Sequence, residues 1–81
     1  MITKSKTIFG GKLFISLFEN KDILVTFQAD SGWFSSNPLD TLLKTKKLEG
    51  YQIFYLWDED LDWVKKELKY ASHNQNTSWQ I

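Results

Sequence analysis

The 81-residue chain contains neither cysteine nor arginine. Without cysteine there is no disulfide framework, no thiolate nucleophile and no cysteine-based zinc site. Without arginine, all positive charge sits on lysine, which lacks the planar fork that grips phosphates and guanine edges through paired hydrogen bonds. Ten basic and ten acidic residues leave a formal net charge of zero. That balance argues against a nucleic-acid-binding domain, whose affinity comes largely from neutralising phosphates. Apolar runs such as Leu13 to Ile15 and Ile23 to Val25 are far too short to span a bilayer. The first residues carry lysine but no apolar stretch follows, so no signal peptide is read and the chain is expected to be cytoplasmic.

What the chain has instead is aromatic bulk. Thirteen of its residues are Phe, Tyr or Trp, 16% of the whole. A domain of this size hides only about 60–65% of its unfolded surface, so its stability is marginal without staples. Large rings, each able to bury roughly 150–250 Å², can replace metals and disulfides. Self-association is the other route to the same end.

The pattern along the chain predicts a single α+β domain over residues 1–73 and a tail over 74–81. Residues 3–9, 12–18 and 22–28 read as three antiparallel strands joined by tight turns at Gly10-Gly11 and Asn20-Lys21. The second and third strands carry apolar groups on both faces, where a sheet with one wet face would alternate more cleanly. Residues 29–36 read as a loop bearing Trp33 and Phe34. A helix is expected from Pro38 to about Lys47, capped by Ser36 or Asn37, with Leu39, Leu42 and Leu43 as its stripe. Residues 51–57 are aromatic and β-branched, hence a fourth strand, and Asp58 opens a second helix to about Ser72. The expected fold is a four-stranded antiparallel sheet in β-β-β-α-β-α order, with two helices on one face and the other face apolar enough to need cover.

No catalytic or cofactor motif is present. The two adjacent glycines join strands rather than opening a helix, no nucleophile elbow exists, and His73 has no sequence neighbour suited to be its acid or base partner. No enzyme activity, cofactor or metal is therefore expected. The acids Asp58, Glu59, Asp60 and Asp62 lack the spacing of a calcium loop, and as a helix start they complement the dipole. They also offer a negative patch to a basic partner.

The second helix holds an anomaly. Leu61, Val64, Leu68 and Ala71 form its core stripe, while Trp63 and Tyr70, seven apart, lie well to one side of it. Either they tuck under Trp33 or Trp79 as a satellite cluster, or they anchor an interface. Trp33 and Phe34 pose the same choice between core plug and recognition loop. The residues expected to meet a partner are Trp63, Tyr70, Trp33, Phe34, Asp58, Glu59, Asp60 and Asp62. The expected function is a non-catalytic protein-interaction module that binds another protein or a second copy of itself. In size and character it suits an inhibitor of a host protein carried by a phage or mobile element. The alternative class is a single-stranded nucleic-acid binder that stacks bases on Tyr51, Tyr55, Phe14 and Phe18.

Overall fold

A computed structural model describes residues 1–73, with side chains through Leu68. The expected tail, 74–81, lies outside the described residues. The chain forms β1 (Ile2–Ile8), β2 (Gly11–Leu17), β3 (Ile23–Ala29), β4 (Phe34–Pro38), α1 (Leu39–Thr45), β5 (Lys47–Gly50), β6 (Phe54–Tyr55) and α2 (Asp58–His73). The class is α+β with an antiparallel sheet and two helices, but the sheet has six strands rather than four, in the order β1-β2-β3-β4-β5-β6.

The two additional strands come from segments whose composition concealed them. β4 occupies part of the expected loop and pairs Phe34 to Pro38 against Gln28 to Leu24. Its inward residues are Ser35 and Asn37, so no apolar alternation announced it. Those polar side chains are satisfied: the Ser35 hydroxyl donates to the Gln52 carbonyl, and the Asn37 amide donates to the Lys47 carbonyl at 2.8 Å. Ser36 and Asn37 therefore do not cap α1. Pro38 takes the cap position with no side-chain cap bond, and Lys46 ends the helix in a left-handed conformation (φ 59°). That early reversal frees Lys47–Gly50 to become β5, where Leu48 is fully buried. The strand expected over 51–57 shrinks to β6, which pairs with β5.

Register sorts the side chains into two faces. One inner row runs Lys4, Ile15, Val25, Asn37, and the next runs Lys6, Leu13, Phe27, Ser35, Gly50. Leu13, Ile15, Val25 and Phe27 form one core with Leu42 of α1, Leu48 of β5 and Leu61 and Val64 of α2. Lys4 and Lys6 face inward from the edge strand β1, a position that discourages edge-to-edge pairing. The Lys4 ammonium meets Glu67 of α2 at 3.1 Å. The outer face mixes hydroxyls and rings, one row being Ser5, Phe14, Thr26, Ser36 and Glu49. Phe14 and Leu24 on it are half-buried, and β4 and β6 add the exposed rings of Phe34 and Tyr55.

The β1–β2 turn also differs. Ile8 pairs with Gly11, so the loop is Phe9-Gly10, with Gly10 at φ 87°. Gly11 sits inside β2 for a different reason: a Cβ there would collide with the Gln28 carbonyl oxygen and the Phe27 ring. Beside these glycines Phe27, 2% exposed, stacks on Phe54 at 3.8 Å and leans on Trp33 at 5.5 Å. Phe27→Ala should destabilise the domain by about 3–5 kcal/mol, the range for truncating a buried ring, as read from urea melts.

Candidate interaction surface

Two exposed rings meet at the end of the sheet where β1 turns into β2. Phe9 is 88% exposed, Trp57 is 60% exposed, and their centroids lie 6.4 Å apart at 32°. Each is held by backbone chemistry beneath it. Phe9 stands at the tip of a two-residue turn whose Gly10 carbonyl accepts from the Asp30 N–H at 2.9 Å. Trp57 precedes α2, and its carbonyl accepts from the N–H groups of Asp60 and Leu61 at 3.0 Å. Leu56, just before it, is buried and donates its N–H to the Lys46 carbonyl at 3.0 Å. The rings therefore project from a fixed backbone, with the Phe27–Phe54–Trp33 stack packed behind this end of the sheet.

Carboxylates border the pair. Asp58 and Glu59 follow Trp57 directly and are exposed, and Asp30 is exposed in the turn bonded to Gly10. Asp62 is exposed one turn further along α2. Asp60 departs from the other acids of its run, being only 8% exposed. Burial pushes its carboxyl above the usual range; nearby Lys6 pulls it down and Glu59 adds to the rise. Among the described residues no three such groups converge as metal ligands, and no helix is long and apolar enough to cross a membrane.

The expected site residues do not share one surface. Trp33 is half-buried against Phe27, whereas its neighbour Phe34 is 62% exposed on the outer face, as strand alternation requires. Trp63 is half-buried at the edge of the core, and the Lys6 ammonium lies 5.9 Å from its ring centroid. Its cover thus includes β1, an element the helix periodicity alone did not indicate. The Tyr70 side chain and Trp79 lie outside the described residues. Phe9 and Trp57, the exposed pair, are not among the residues expected to meet a partner. The signal for Phe9 was its place beside a glycine turn, because turn residues point to solvent; for Trp57 it was its place before a helix start.

Comparison with protein-family models, curated proteins and solved structures returns no match to this chain. The class is thus set by the fold alone: a small α+β domain built on a six-stranded antiparallel meander.

Trp63→Ala should cost about 2–4 kcal/mol in urea unfolding, below the full penalty for a completely enclosed tryptophan. Asp60 gives a pH signature. The folded state holds this proton more tightly than the unfolded chain, so its contribution to stability rises as pH falls from Asp60's raised value toward 3.8. Above that window the contribution is constant. Asp60→Asn should remove this component from a plot of unfolding free energy against pH.

Proposed function

We propose that this chain is a non-catalytic protein-interaction module whose anchor is the Phe9–Trp57 pair. The observation that carries this reading is two large rings, exposed and in mutual contact, on a domain that closes its core elsewhere. Exposed tryptophan is the residue type most enriched among interface hot spots, and a ring pair on fixed backbone gives up little entropy on binding. The carboxylates of Asp30, Asp58, Glu59 and Asp62 form the rim and steer a partner of opposite charge. The fitting partner is another protein that offers an apolar pocket bordered by lysine or arginine. A second copy fits less well, since a two-fold contact at this patch would bring Asp58 and Glu59 toward their own counterparts. Such a module works by covering a surface of its target, the way an inhibitor does.

Of the four rings the nucleic-acid alternative would use, Tyr51 and Tyr55 are exposed around β6 and Phe18 lines a groove at the other end, so Phe14 alone joins Phe34, Thr26 and Gln28 in a shallow depression on the outer face. Stacking there would need cations to hold phosphates. The outer-face lysines nearby are Lys12 and Lys47, and Lys47 lies 3.8 Å from the Glu49 carboxylate. The observations favour the protein partner.

Trp57→Ala and Phe9→Ala should each change unfolding free energy by no more than about 1 kcal/mol, as for exposed positions. Capture of a protein partner from cell extract should fall by about 2 kcal/mol or more in apparent affinity for Trp57→Ala. Equal capture by wild type and both variants would remove the proposal, and so would salt-sensitive retention on single-stranded oligonucleotide lost with Phe34→Ala.

A further inference from the structure

The opposite end of the sheet carries a second surface that the Phe9–Trp57 reading does not use. A groove of about 1090 Å³ opens between the β2–β3 turn and the start of α1. Its apolar wall is made by Met1, Phe18, Ile23, Leu24 and Leu39. Met1 is 64% exposed and Phe18 38%, while the other three are half-buried, so solvent reaches much of this apolar wall.

One side of the groove is pre-shaped. The Phe18 N–H donates to the Asp22 carbonyl at 2.9 Å, and the Lys21 N–H donates to the Phe18 carbonyl at 3.0 Å. The Asn20 amide donates to the Asp22 carboxylate at 2.9 Å, and the Asn20 side-chain oxygen accepts from the Asp22 N–H at 3.1 Å. Lys21 occupies the left-handed region at φ 75°, which closes the turn. A turn bonded this closely loses little freedom when something docks beside it.

The charge around the groove selects the occupant. Glu19, Asp22 and Asp40 are exposed on its rim, set against Lys21 and the Met1 α-ammonium, so carboxylates remain in excess there. We infer that this groove is a docking site for a cationic amphipathic segment of another protein. The segment's apolar side chains lie against Phe18, Leu24 and Leu39, and its lysine or arginine residues meet Glu19, Asp22 and Asp40. This is the arrangement by which an amphipathic helix lies in an apolar groove, with charge fixing orientation. A second copy of the chain would bring the same acid-rich rim to its own counterpart, and the uncharged residues 74–81 carry no cation to offer it.

The test is a titration of the isotope-labelled full chain, followed by amide chemical shifts. One probe is a short lysine–leucine peptide with helical apolar period, and the other has every lysine replaced by glutamate. The lysine peptide should shift the amides of residues 18–24 together with Leu39 and Asp40, and the glutamate peptide should leave them in place. Combining Glu19→Gln, Asp22→Asn and Asp40→Asn should weaken the lysine peptide by about tenfold or more while leaving the unfolding midpoint close to wild type. Trp57→Ala should leave the titration unchanged, which separates this groove from the other surface. Equal response to both peptides, response centred elsewhere, or none at about 1 mM peptide overturns the inference. So does movement of the same amides on dilution of the peptide-free protein, which identifies a second copy. Movement on removal of residues 74–81 identifies the chain's own segment and overturns it equally.

Discussion

The architecture depends on one buried ring. Phe27 stacks flat on Phe54 of the sheet's last strand, leans on Trp33 of the β3–β4 turn, and lies beside the glycines of the first hairpin. Segments far apart in the chain thereby meet at one place through dispersion and exclusion of water rather than through any covalent link. A chain with no disulfide needs such a junction, because its small core leaves little stability in reserve. The close approach has a steric condition, met by Gly11: only hydrogen fits where its side chain would be.

Phe9, in the turn after β1, and Trp57, between β6 and α2, stand exposed outside the segments that surround the stack. The flanking acids do two things at once. At the start of α2 they complement the helix dipole, and Asp58 and Glu59 set exposed carboxylates next in sequence to Trp57. Burial of Asp60 within the same run shows that adjacent carboxylates can face very different environments on a helix.

Edge protection follows similar economy. The long edge strand β1 turns Lys4 and Lys6 toward the rim of the core, where one finds Glu67 and the other the Trp63 ring. Inward-facing charge discourages a foreign strand from extending the sheet, and the same lysines tether α2. The open surfaces of the sheet then lie at its two ends, one bearing exposed rings and the other a groove.

The residue pattern alone determined the first three strands, the position of α2 to within a residue, and a core built on Leu13, Ile15, Val25, Leu61 and Val64, because their apolar period carried the information. It did not disclose β4 or β5. In β4 the inward positions are Ser35 and Asn37, whose burial makes sense only once the carbonyls of Gln52 and Lys47 are beside them. In β5 the single buried residue, Leu48, leaves no alternation to detect. The same limit applies to the surface: Trp33, Phe34, Trp57 and Trp63 are chemically alike in one dimension, and packing alone separated plug from exposed ring. Periodicity reports which face of an element is greasy, whereas what lies over that face depends on residues distant in the chain, and this only the tertiary structure decided.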